Sequence, residues 1–473
     1  MGSSLDRLTE SWLVQMTREK LRRDGPVDLL RSIPGFVDEY VVADRPRRLA
    51  VLAAVEPSVL DRRELLRRAG RADALWRFGA AERFTVTDDP EREPGTELPY
   101  ALRRRLGTYT NDRPFVCELR DAALVGTEPV GVTAGREIVL ETTDAHRVLL
   151  WFRLRSHLEG RSLPQAVREA RRLVRERPRP TTAGYDHDVA FLLWKTNVST
   201  FYHWILEGLP KVRALERYRE ATGRDPAVLL GPDPPSWMRE TLSLVGLDPD
   251  ETVPYEGDVT VDRLVVPSHR NRLLSVPGTP FPDDFHPSPA DCRWLRERVA
   301  SNLPPDAAPP ASAGEHDHPP RVYVSRRKAD YHRVVNEDAL VEALAPLGFE
   351  AYALEEYPFA TQVALFREAE LVVAPHGSGL VNLVFAASEP HVVELFKEKD
   401  VRAFYFVLAR QLGLPYDYVV GEEVEGNVRV DPAAVRSLVE DALDRRAARD
   451  GGDGGDDDDT DADARDADAD VDA

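Results

Sequence analysis

The 473-residue chain has only two cysteines, Cys117 and Cys292, and neither has a neighbour at metal-ligand spacing. A disulfide-dense secreted fold and a zinc framework are therefore excluded, and a reducing, intracellular setting is expected. No run of about 20 apolar residues occurs, which excludes a helical membrane span. No amino-terminal leader is evident, so the expected location is cytoplasmic. Lysine is scarce: Lys20, Lys195, Lys211, Lys328, Lys397 and Lys399 are all of it, against 56 arginines. No part of the body is broadly basic, which argues against a nucleic-acid partner.

The formal net charge is −20, and Gly451–Ala473, with eleven aspartates and one arginine, carries −10 of it. That segment is too polar to bury a core and reads as a disordered acidic tail. The remaining charge gives an acidic, lysine-poor body, as expected of a halophilic host whose internal salt screens carboxylate repulsion. A GC-rich genome would also favour arginine and alanine.

With 42% hydrophobic residues the body is long enough for two or three cores. Residues 1–112 form an N-terminal extension, mostly helical and mixed. Within it, Leu5, Leu8, Trp12, Leu13 and Met16 follow a helical period ahead of Arg18, Lys20, Arg22 and Arg23. Such a helix either docks on its own domain or lies peripherally at the inner face of a membrane. From 113 to 301, apolar runs alternate with helical periods: a strand at Val189–Trp194, a helix at Tyr202–Tyr218, a strand at Ala227–Gly231, a helix at Pro235–Val245 and a strand at Val259–Val266. Residues 302–320 (NLPPDAAPPASAGEHDHPP) read as a proline-rich linker. The same alternation resumes over 321–448, ahead of the tail at 449–473. The expected fold class is α/β, with two Rossmann-like domains facing a cleft, because strands alternating with helices build parallel sheets that bind ligands at their carboxyl ends.

Chemistry concentrates at those ends in the second unit. Arg326, Arg327, Lys328 and Arg333 follow the strand Arg321–Ser325, four cations in an otherwise acidic chain. Guanidinium groups neutralise a diphosphate bidentately. His376-Gly377-Ser378-Gly379 links the apolar strand Leu371–Ala374 to a helix over Leu380–Ala387. There, glycines admit close backbone approach and free N–H groups face an anion. A nucleophile elbow fails because His376 and Leu380 flank Ser378 where glycines are required, and a dinucleotide fingerprint fails at Asn382. Glu394 ends the next strand on the same edge, where a carboxylate suits ribose hydroxyls. In the first unit Ser199 or Thr200 can cap a helix that places His203 and Glu207 four apart, on one face. That pair reads either as a general base with its orienting carboxylate or as a core histidine held by a neighbour. Asp186-His187-Asp188, Asp248-Pro249-Asp250 and His316-Asp317-His318 are weak metal signals in an aspartate-rich chain, and no metal is assigned.

Together these segments resemble glycosyltransferase family 61. The resemblance rests on Asn197, Tyr202-His203-Trp204, Glu207 and Leu209-Pro210 in the first unit. In the second it rests on Tyr323-Val324-Ser325-Arg326, Arg333, Asn336-Glu337, Gly348-Phe349, Gln362, Leu365-Phe366, Ala369, His376-Gly377, Gly379-Leu380, Asn382, Phe385 and Glu394-Leu395. It covers about Pro114 to Val430, and Ser378 stands where alanine is commoner. The resemblance implies a GT-B type fold and an inverting hexosyl- or pentosyltransferase. A sugar would pass from a nucleotide-sugar, often UDP-linked, to a hydroxyl of a glycan, a lipid-linked acceptor or a protein. It further implies His203 as base, oriented by Glu207. Arg326, Arg327, Arg333, His376, Gly377, Ser378, Gly379, Asn382 and Glu394 would hold the donor, with no cofactor or metal required. A non-catalytic nucleotide-sugar or glycan-binding relative is the alternative; a phosphate-ester hydrolase would need a metal or cysteine nucleophile that the sequence does not offer.

Overall fold

The computed structural model describes residues 50–452, except 52–53, 56–57, 89–96, 127, 144–161, 177, 183, 194–199, 271, 274–284 and 311–318. The expected helix over 1–24 and the acidic tail beyond 452 lie outside these residues, as do Asn197, Ser199 and His316-Asp317-His318.

The first unit is built on a nine-stranded sheet. Its heart is parallel: Val259–Pro267, His187–Leu192, Ala227–Leu230 and Thr252–Pro254 lie side by side. On the other flank Phe115–Val125 runs antiparallel to Val259–Pro267, with Leu264 opposite Leu119. Strands Val59–Leu60 and Leu75–Arg77 are hydrogen-bonded into this sheet. Part of the expected N-terminal extension is thus continuous with the first unit, because its short apolar strands satisfy the sheet edge. The strands expected at 189–194, 227–231 and 259–266 are present with ends shifted by two residues or fewer.

The second unit is a six-stranded sheet in the order Phe349–Tyr352, Arg321–Val324, Leu371–Pro375, His391–Lys397, Tyr416–Val424, Asn427–Arg429. All neighbours are parallel except the last pair. Leu371–Pro375 and the stretch from His391 to Phe396 are buried throughout, the pattern of strands covered on both faces. The order reverses between Arg321–Val324 and Leu371–Pro375, the switch point where such sheets open a crevice. The helix expected at Leu380 is a 3₁₀ helix beginning earlier, at Ser378, and ending at Phe385. Gly379 explains the tight start: a Cβ there would lie 2.9 Å from Leu354 Cδ1 and 3.3 Å from Val324 Cγ1. The last helix, Pro432–Gly452, runs four residues beyond the expected domain end at 448.

The two units share one hydrophobic core. Phe191, Trp204, Leu242 and Leu295 of the first pack in the same cluster as Val324, Phe359, Leu380 and Phe385 of the second. Polar contacts cross the same boundary. Arg296 Nε donates to the Val384 carbonyl at 2.8 Å. The Glu240 carboxylate accepts from the N–H groups of Phe359 and Ala360 at 2.9 and 2.8 Å. These are among the first N–H groups of helix Phe359–Glu368 and have no partner within it. Glu240→Ala should therefore destabilise the protein by about 1–2 kcal/mol, and Glu240→Gln by less. Denaturant unfolding checks this, and equal midpoints for wild type and Glu240→Ala would show that the cap contributes nothing.

Candidate active site

Adjacent parallel strands deliver the two expected anion-binding segments to one place. Tyr323 pairs with Val373 across Arg321–Val324 and Leu371–Pro375, so Arg326 and Gly377 emerge side by side at the carboxyl edge. Arg326 lies directly on Gly377: a Cβ added to that glycine would fall 2.7 Å from the guanidinium Cζ and 3.1 Å from Cδ. The Gly377 backbone, at φ 174° and ψ 163°, is extended, so close approach rather than conformation requires the glycine. Arg326 Nη2 donates to the Tyr331 carbonyl at 3.2 Å, while its buried Nε has no hydrogen-bond partner. Burial lowers the Arg326 pKa, opposed by Tyr405, Tyr331 and Glu355. Beside it, the first N–H groups of the 3₁₀ helix Ser378–Phe385 have no intrahelical acceptor. A half-buried cation and bare amides converge here, a combination suited to an anion.

The four-cation cluster divides in two. Arg327 Nε bonds Ser325 Oγ at 3.1 Å and pairs with Glu337 at 3.2 Å, and Glu337 also accepts from Tyr323 OH at 3.1 Å. Lys328 is paired with Glu356. These two cations are neutralised in place. Arg333 is exposed, and among the described residues its guanidinium has no ion pair or hydrogen bond; its main chain is fixed by Asn427 and Val428.

Glu394 corrects an expectation. It is fully buried, and both its oxygens are engaged inside the protein. Oε1 lies 2.5 Å from His376 Nδ1, and Oε2 accepts from Tyr416 OH at 2.6 Å. Burial, then Glu394, pushes the Tyr416 phenol well above its usual pKa, which keeps it a donor. A carboxylate so enclosed has no edge left for ribose hydroxyls; it orients His376. Asn382 is corrected likewise. It is fully buried, donates to Gln362 Oε1 at 3.0 Å, and sits beneath the loop rather than at its surface. Gln362 in turn holds the Leu354 and Tyr357 carbonyls. Tyr405 lies beside Ser378, and burial pushes its phenol well up.

The sequence gave no signal for His332. Its φ of +59° is left-handed, uncommon for a residue with a Cβ. Its ring lies 5.6 Å from His376, and Nε2 is 3.6 Å from Asp400. Burial, then Lys397, His376 and Arg326, depress its pKa to about 4, against the pull of Asp400.

The first unit reaches the same place through Tyr202. Its ring is 5.5 Å from Phe404 and 5.8 Å from Tyr405, and those two rings lie 6.0 and 5.3 Å from His376. The next residue, His203, has Nδ1 3.1 Å from Glu207 Oε1, off the line of an ideal hydrogen bond. The His203 side chain is 20% exposed and that of Glu207 fully buried. The expected helix at 202–218 spans Phe201 to Thr222 but changes pitch, with a π turn at Trp204–Gly208 and a 3₁₀ turn at Leu209–Lys211. Pro210 is the cause: it lacks an N–H and clashes with the carbonyl four residues back. Thr200 occupies the N-cap position without a side-chain cap bond.

Two of the weak metal signals are structural. Asp186 accepts from Thr260 N and Oγ1, both at 2.7 Å, and Asp248 accepts from Asp250 N at 2.9 Å. Among the described residues no group of three or more His, Cys, Asp or Glu side chains is placed to hold a metal.

The stretch carrying His203, Glu207, Arg326, Arg333 and the 376–379 loop matches a known family model, Glycosyltransferase 61, over residues 201–393. Over that segment the chain is similar to glycosyltransferase family 61. The curated relatives matched are EGF domain-specific O-linked N-acetylglucosamine transferases. The mouse protein is 32% identical over 108 residues, covering 22% of this chain and 20% of the relative. The Drosophila melanogaster protein is 35% identical over 100 residues, covering 20% and 18%. The chicken protein is 31% identical over 108 residues, covering 22% and 20%. The chain thus spans about a fifth of the length of the curated relatives it matches. Glu394 lies one residue past the family match, yet it is wired to the family 61 loop through His376.

Gly377→Ala should push Arg326 off the loop and weaken pyrophosphate binding about tenfold or more (about 1.4 kcal/mol), with little change in melting temperature. Calorimetric titration of both proteins decides; undiminished binding would remove Gly377 from the anion site. The depressed His332 pKa has its own consequence. Between pH 6.5 and about 4 the unfolded histidine takes up a proton that the native one refuses, so stability falls as pH falls through that window. His332→Asn, which tolerates positive φ, should lose less stability than wild type between pH 7.5 and 5, as read from denaturant midpoints.

Proposed function

We propose that the chain is an inverting glycosyltransferase that moves a sugar from a nucleotide-sugar, UDP-linked, to a hydroxyl of a glycan, lipid-linked or protein acceptor. The observation that carries this reading is the Arg326 guanidinium laid on Gly377 at the sheet switch point, with no ion pair among the described residues. Two joined α/β units, each with parallel strands at the heart of its sheet, support a GT-B type arrangement in which the second unit takes the nucleotide and the first the acceptor. The protein-directed names of the relatives favour a hydroxyl acceptor.

In this reading the diphosphate lies along the amides of Gly377, Ser378 and Gly379, with Arg326 beside it and the exposed Arg333 at the rim. His203 receives the acceptor proton as the oxygen attacks the anomeric carbon, and the buried Glu207 carboxylate stabilises the imidazolium that results. Attack opposite the departing diphosphate inverts the anomeric centre in one displacement. The protein contributes charge neutralisation, alignment and a proton acceptor; general-base catalysis alone supplies about 10²–10⁴-fold.

His203→Ala should lower kcat by about 100-fold or more while leaving UDP affinity within about twofold, because His203 is not on the diphosphate. Arg326→Glu should abolish UDP binding. Turnover with UDP-sugars and UDP calorimetry on both variants check these outcomes; a His203→Ala enzyme retaining most of its turnover would assign the base elsewhere.

A further inference from the structure

Two histidines reach this site, and each is backed at Nδ1 by a fully buried glutamate: His203 by Glu207 and His376 by Glu394. The transfer just described uses only the first. The second pair is the tighter, at 2.5 Å against 3.1 Å, and is anchored further by Tyr416 on the other carboxylate oxygen. With Nδ1 turned to Glu394, the opposite ring nitrogen, Nε2, has no hydrogen bond among the described residues. The ring is clamped by Phe396, Phe404 and Tyr405 at 5.7, 6.0 and 5.3 Å, so it cannot swing to another partner. It immediately precedes Gly377, on which the cationic Arg326 lies.

We infer that His376 is the proton donor to the departing diphosphate, oriented for that task by Glu394. The inference rests on the transfer reading above. The bond between the anomeric carbon and the β-phosphate oxygen breaks, its electron pair stays on that oxygen, and the oxygen takes the Nε2 proton of His376. The new bond joins the acceptor oxygen to the anomeric carbon, and the acceptor proton goes to His203. One proton is gained and one lost by the protein, and exchange with water resets both rings. The charged and titratable groups around His376 are Glu394 and Tyr416 beneath it, Tyr405 and Arg326 beside it, and His332 at 5.6 Å with Lys397 and Asp400 behind that ring. Glu394 is the carboxylate in direct contact with the ring. His332, neutral above about pH 4, adds no charge near neutrality.

The kcat–pH profile tests this, since a required base gives an acid limb and a required acid an alkaline limb. His376→Gln should erase the alkaline limb and leave the acid limb. Glu394→Gln keeps the residue's size but removes the charge that orients His376, so it should lower kcat while the acid limb stays in place. A His376→Gln profile that keeps the wild-type shape at reduced height would overturn the inference, because a merely structural role lowers every point alike. Failure of the wild-type chain to bind UDP in calorimetry would instead sink the transfer reading, and this inference with it.

Discussion

The site depends on a cation, Arg326, that has no counter-ion among the described residues. Arg326 is partly buried against Gly377, its Nε has no acceptor, and its nearest acidic influence, Glu355, is weak enough that burial still lowers its pKa. In a chain of net charge −20 there are carboxylates to spare, and Glu337 and Glu356 are spent on the adjacent Arg327 and Lys328. A phosphate group at Gly377 would find that guanidinium placed to pair with it.

Around that cation the remaining groups are arranged by burial. Glu394 and Glu207 are both withdrawn from solvent and act through histidines. A buried carboxylate beside an imidazole fixes the ring and favours its charged form, whereas the same carboxylate at the surface would be screened. Tyr202, Phe404 and Tyr405 form an aromatic bridge between the two histidines' surroundings, which couples the first unit to the loop of the second through packing. Because the core is continuous from Phe191 to Phe385, the two sides of the site are held at a set distance without reliance on the linker.

Much of this arrangement was legible in the residues themselves. The strands expected at 189–194, 227–231, 259–266, 321–325 and 371–374 reappear with ends shifted by two residues or fewer, because apolar runs of that length bounded by turn residues have few other solutions. The i,i+4 spacing brought His203 to Glu207 even through a π turn. What the residues could not show was the partner of each buried polar group. Glu394 and Asn382 are polar residues in apolar surroundings, and a sequence shows the surroundings but not which neighbour satisfies them. In the fold Glu394 meets His376 and Tyr416, 18 and 22 residues away, and Asn382 meets Gln362, 20 away.

Local pattern alone thus determined the alternation of strands and helices, the glycine that lets a side chain lie on the backbone, and the presence of cations after one strand. Those features depend on neighbours in the chain and on backbone sterics, which are written residue by residue. Which cation stays free, which carboxylate serves which histidine, and how the His332 loop is drawn in beside them were decided only by tertiary structure. Ion pairing and burial depend on distances of a few ångströms between groups far apart in the chain, and the parallel register of the two sheets sets those distances.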